Sequence, residues 1–151
     1  MKRAVSMFVG LFFLGTFVHG AGDATKEDLE RLQGKWKFVE RIIDGKKQTG
    51  KQLESTWTFD GNRVIYHVDA DLLAIVTLNA KTNPKTFDFD HESKDPKRVQ
   101  KGRKGIYEID GDILKICVVA EGKTKERPTA FESKEGSGYA LTILKRVKDD
   151  K

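Results

Sequence analysis

Cys117, His67, His91 and the acidic set Asp88, Asp90 and Glu92 are the side chains whose types could support catalysis or metal binding in this 151-residue chain. Cys117 is the sole cysteine. A reactive thiol needs a cationic or histidine partner and access to solvent, and the sequence around it supplies neither. Alternation along Ile113 to Val119 puts Cys117 on the face of Lys115, opposite Leu114, Ile116 and Val118. A structural or tolerated cysteine is expected there, facing outward or covered by a helix. With only one thiol, His67 and His91 cannot complete a tetrahedral zinc site without several carboxylates. Asp88, Asp90 and Glu92 are spaced like the opening of a calcium loop. Ser93 stands where that loop needs glycine and Val99 where it needs glutamate, so a solvated strand end is expected.

A nucleophile with its base, or a paired-carboxylate cleft, cannot be named from spacing, although strand ends could bring Asp60, Asp69 or Glu108 together. The expectation is a protein that is not an enzyme, with no catalytic residue, no metal ligand and no cofactor. Lys94, Lys97, Arg98, Lys101, Arg103 and Lys104 form a basic stretch that could attract an anionic polymer, a lipid headgroup or an acidic partner. Solvated loops are often charged in this way, and that plainer reading is favoured.

The elements that position these residues begin after an export signal. Lys2 and Arg3 precede an apolar run from Val5 to Val18, and modest residues follow, which is the order of a secretory signal peptide over 1–20. The run is shorter than the roughly 20 apolar residues of a membrane span. An uncleaved anchor is the alternative; cleavage predicts a periplasmic or extracellular domain over 21–151 with no stable membrane span. Cleavage also removes Lys2 and Arg3, lowering the formal charge from +5 to about +3. So even a balance does not suggest nucleic acid, which calls for a concentrated basic surface. One cysteine permits no internal disulfide, so stability must come from packing.

Thr25 to Leu32 predicts a short helix capped by Thr25, with Leu29 and Leu32 toward the body. The period then becomes two. Strands are expected at Trp36 to Ile43, Thr56 to Phe59, Arg63 to Val68, Leu72 to Leu78, Thr86 to Asp90, Gly105 to Ile109, Ile113 to Val119, Thr129 to Glu132 and Tyr139 to Arg146. Asp44-Gly45 closes the first strand, and Asp60-Gly61-Asn62 and Asp110-Gly111-Asp112 read as hairpin turns. No interval holds a crossover helix, so neighbours should be antiparallel. Closure removes the exposed edges of such a sheet, which favours an all-β, up-and-down antiparallel barrel over a two-sheet sandwich.

Alternation nominates Phe38, Trp57, Phe59, Tyr66, Phe87, Phe89, Tyr107, Leu114, Ile116, Phe131, Leu141 and Ile143 as inward positions. Barrels of about eight strands either fill with such side chains or hold one small ligand, and the small size of the mature domain favours filling. If hollow, Phe38, Trp57, Phe59, Tyr66, Phe87, Phe89, Tyr107 and Leu141 would line the ligand site.

Gly34-Lys35-Trp36 after a short helix, with Arg146 in the last strand, resembles the lipocalin signature, which implies that Gly34, Trp36 and Arg146 close one end of the barrel. A fuller likeness runs through Leu32 to Trp36, Gly105 to Cys117, Arg127-Pro128-Thr129-Ala130-Phe131, Gly136-Ser137-Gly138 and Leu144-Lys145-Arg146. In these motifs the chain resembles an uncharacterised lipocalin-like domain family abundant in planctomycete bacteria. The resemblance implies a small lipocalin-like barrel, often exported, and no established activity. The function expected is an exported domain that binds a small apolar molecule. The alternative is a structural or protein-interaction module of the cell envelope that uses its loops and basic stretch.

Overall fold

The computed structural model describes residues 23–67, 72–93, 97, 100–121, 123 and 126–148. The expected signal peptide lies outside them, as does Asp69. The chain runs α1 (Asp23–Leu32), β1 (Gly34–Ile43), β2 (Lys46–Lys47), a 3-10 turn (Gly50–Gln52), β3 (Thr56–Asp60), β4 (Arg63–Tyr66), β5 (Leu72–Asn79), β6 (Lys85–Ser93), β7 (Gln100–Arg103), β8 (Gly105–Asp110), β9 (Ile113–Val119) and β10 (Tyr139–Arg146).

Eight of these strands close into an antiparallel barrel in the order β1, β3, β4, β5, β6, β8, β9, β10 and back to β1. Each follows its neighbour in sequence, so the topology is up-and-down and not a two-sheet sandwich. Strand β2 folds back on β1 through Asp44 and Gly45, both at positive φ, which is the geometry of a two-residue turn matched to the strand twist. Strand β7 pairs with β6 just before β8 does, extending that side of the wall.

The β3–β4, β5–β6 and β8–β9 turns lie at one end, and α1 plugs it. Leu32 is fully buried, and Trp36 beneath it donates its indole N–H to the Leu32 carbonyl at 2.7 Å. Arg146 lies over that indole with Cζ 4.2 Å from the ring centroid, donates to the Gln33 carbonyl at 2.6 Å, and also donates to the Arg31 carbonyl. Gly34 sits at φ +100, and a Cβ there would stand 3.6 Å from Arg146 Nη1. Gln33 ties the plug to the β3–β4 turn, accepting from the Gly61 N–H at 2.7 Å. Asp28, on the buried face of α1, receives Lys85 at 2.6 Å, the Tyr107 hydroxyl at 2.8 Å and Arg31 at 3.2 Å. Burial raises the Asp28 pKa, but the bonds from Lys85 and Tyr107 and the charges of Lys85 and Arg31 outweigh it and hold the carboxyl below its usual range.

Three expectations are corrected. The helix begins at Asp23, two residues early, and the Thr25 hydroxyl does not cap it but accepts the Ala80 N–H at 3.1 Å, tying the helix to the β5–β6 turn. Thr129 to Glu132 is not a strand; it belongs to an irregular arm between β9 and β10. Leu141, Ile143 and Phe131 do not face the interior. Leu141, Cys117 and Ile106 occupy one row across β10, β9 and β8, with Ile42 next in register on β1, and they form an apolar cluster outside the barrel. Phe131 of the arm packs on that cluster. Arg127 anchors the arm, pairing through both terminal nitrogens with the Asp88 carboxylate and donating to the Gly105 carbonyl at 2.6 Å. Both faces of β10 are therefore apolar, and alternation by itself cannot say which is inside.

Candidate functional site

Aromatic rings fill the plugged half of the barrel. Phe59, Phe87 and Tyr107 pack there, with centroids 6.5 Å apart for Phe59 and Phe87 and 6.2 Å for Phe87 and Tyr107. Above them the packing stops short. A cavity of about 220 Å³ is walled by Phe38, Trp57, Tyr66, Phe89, Ile116, Val118 and Ala140, with Ser55, Thr142, His91, Arg41 and Arg103 as polar members and Glu121 at its solvent-exposed rim. Its apolar side is a set of edge-to-face rings, Phe38 to Trp57 at 5.3 Å and Trp57 to Tyr66 at 5.1 Å. Such contacts fix ring orientation beyond what area burial alone achieves.

Of the eight residues nominated as a ligand wall, the structure thus brings Phe38, Trp57, Tyr66 and Phe89 to the cavity. Phe59, Phe87 and Tyr107 are interior but belong to the filled half, and Leu141 lies outside. The polar members were missed, and backbone irregularities explain why. In β1 the register with β10 slips between Phe38 and Glu40, so Val39 is an inserted residue. Phe38 and Arg41 both end up inward, although strict alternation from Phe38 would send Arg41 out. Adjacent Ile42 and Ile43, which break the period of two, were the signal available for that slip. A second irregularity lies between β6 and β7, where Phe89 pairs with Arg103 and His91 with Gln100. Gly102 takes φ +67 there, and its N–H donates to Asp90 Oδ1 at 2.6 Å. Arg103, expected in a solvated basic loop, instead enters the cavity with Cζ 4.7 Å from the Phe89 centroid and donates through Nε and Nη2 to the Val119 carbonyl at 3.0 and 2.7 Å.

Charge in the cavity follows from burial. Desolvation lowers the pKa of both arginines, which nonetheless stay protonated at any ordinary pH. His91 lies 2.8 Å from the Tyr66 hydroxyl through Nε2, hydrogen-bonded. Burial first, then the positive charges of Arg103 and Arg41, bring the His91 pKa down to about 4 against the opposing pull of Glu121. Burial pushes the Tyr66 hydroxyl up, with Arg103 and Arg41 opposing. At neutral pH both are uncharged.

Most of the other candidates have structural partners. Asp88 and Asp90 hold the arm and the Gly102 turn from outside the barrel. Glu108 pairs with Lys115 at 3.1 Å, and Asp60 ends β3 in solvent. His67 shares a 2.7 Å hydrogen bond with Thr58. Cys117 is fully buried, donates to the Glu132 carbonyl at 3.4 Å, and has its pKa pushed up to about 11 by burial. The arm covers it, not the helix. Among the described residues no group of three or more His, Cys, Asp or Glu is placed to hold a metal, and no helix is long and apolar enough to cross a membrane. No family model, curated protein or solved structure matches this chain.

Proposed function

We propose that the protein is an exported, non-enzymatic barrel that binds one small molecule in the open half of its interior. The observation that carries this reading is the contrast between the two halves: the plugged half is filled by Phe59, Phe87 and Tyr107, while the other retains about 220 Å³ beside an aromatic wall. That volume exceeds the roughly 150 Å³ engineered cavity that takes up benzene and lies below the roughly 300 Å³ at which pockets for drug-sized ligands begin. A ligand of one ring or a short chain fits it. A His91 base with a pKa near 4 and a Tyr66 acid pushed well above neutrality are poorly matched to proton transfer at pH 7, which supports binding over catalysis. The alternative of an interaction module built on the basic stretch is weakened because Arg103 leaves that stretch for the cavity.

Benzamide, a neutral planar probe, tests the reading. Titrated into the purified protein and followed by Trp57 fluorescence and amide chemical shifts, it should perturb residues around Phe38, Tyr66 and Phe89. Ala140→Leu, which fills the cavity, should weaken that binding about tenfold or more with an unchanged circular dichroism spectrum. Binding that is absent, or that is indifferent to this substitution, would refute an interior site.

A further inference from the structure

Two separate backbone irregularities aim two arginines into one cavity. The inserted Val39 in β1 turns Arg41 inward, and the turn at Gly102 does the same for Arg103. In β1 the pairing with β10 continues on both sides of Val39, so the insertion re-aims Arg41 without interrupting closure. Bulges of this kind re-aim side chains, and here both re-aim a guanidinium at the same space.

Burying a guanidinium is costly unless its donors are satisfied and its charge is balanced. The Arg103 donors at Nε and Nη2 are used on the Val119 carbonyl. Arg41 Nε is buried and donates to no acceptor, the one such side-chain atom among the described residues. Among the described residues Glu121 is the sole acidic side chain of the lining, and it stands at the exposed rim. Among the described lining residues two positive charges face one negative charge, a balance of about +1, and an unmet donor stands beside a wall of aromatic rings.

We infer that this cavity binds a small monocarboxylate, with the carboxylate between Arg41 and Arg103 and the apolar body against Phe38, Trp57 and Phe89. A planar carboxylate accepts paired N–H bonds from a guanidinium fork, and a monoanion balances the charge that Glu121 leaves. The volume limits the body to a single ring or short chain. This inference rests on the interior-binding reading above and adds the chemistry of the head group.

Benzoate and benzamide separate the two ideas, because they share size and planarity and differ in charge. In about 0.15 M salt at pH 7, benzoate should bind the purified protein about tenfold or more tighter than benzamide by calorimetry. Arg41→Met should bring the two within about twofold of each other, and Arg41→Lys should retain part of the preference. Circular dichroism establishes that each variant folds; if the methionine variant does not, the lysine variant carries the test, with a benzoate preference reduced but still above one. Equal binding of the two probes by the unsubstituted protein overturns the head-group inference and leaves the interior site standing. A preference that survives Arg41→Met assigns the selectivity elsewhere and overturns it too. Binding of neither probe removes both readings.

Discussion

Lowering the pH from 7 to 5 protonates an imidazole in the unfolded chain but leaves His91 neutral in the barrel, so the native state loses ground. The residue is 6% exposed, with its ring hydrogen-bonded to Tyr66 and faced by Arg41 and Arg103, with Glu121 opposing them. Its pKa falls from 6.5 to about 4. Below pH 6.5 the unfolded state therefore binds a proton that the native state does not, and stability declines until the pH passes through about 4. The whole interval is worth about 3 kcal/mol, of which about 2 kcal/mol falls between pH 7 and pH 5. Carboxylates add slopes of their own, so the comparison is with His91→Gln, which keeps a hydrogen-bonding partner for Tyr66 and does not titrate. Urea unfolding at the two pH values should show the original protein losing about 2 kcal/mol more than the variant. Parallel losses in the two proteins would refute the reasoning. So would an NMR titration in which the His91 ring protonates near 6.5.

Arg146→Ala should cost about 3 kcal/mol in urea unfolding, because it removes the cation–π contact with Trp36 and strands the carbonyls of Gln33 and Arg31. Arg146→Lys should recover less than half of that, since an ammonium cannot reach both carbonyls while lying over the ring. Arg127→Ala should free the arm from Asp88 and Gly105, accelerating thiol labelling of Cys117 about tenfold or more while lowering global stability by about 1 to 2 kcal/mol. Labelling at the original rate would mean that the arm is not what shields the thiol.

Local chemistry is what the sequence by itself determined. The Asp44-Gly45, Asp60-Gly61 and Asp110-Gly111 turns, the period-two runs between them and the amphipathic α1 all act over a few residues, and they specify a meander whose edges are satisfied only by closure. The inward Phe38, Trp57, Tyr66 and Phe89 follow from the same short-range pattern, whereas the contact of Trp36 with Arg146 was implied only by the resemblance to the lipocalin signature. Tertiary structure decided the rest, because the face a strand residue occupies depends on register with a partner far along the chain. One inserted residue at Val39 reverses the parity of everything after it, and only the pairing of β1 with β10 reveals this; the result is Arg41 in the cavity and Ile42 outside. On β9 and β10 both faces are apolar, since the arm held by Arg127 covers the outer one, so hydrophobicity could not distinguish Leu141 from Ala140. Arg103 reads as one cation in a basic run until Gly102 turns it onto Phe89. The barrel is thus a consequence of local preferences summed, whereas the charged cavity exists only through long-range register, which short-range periodicity does not encode.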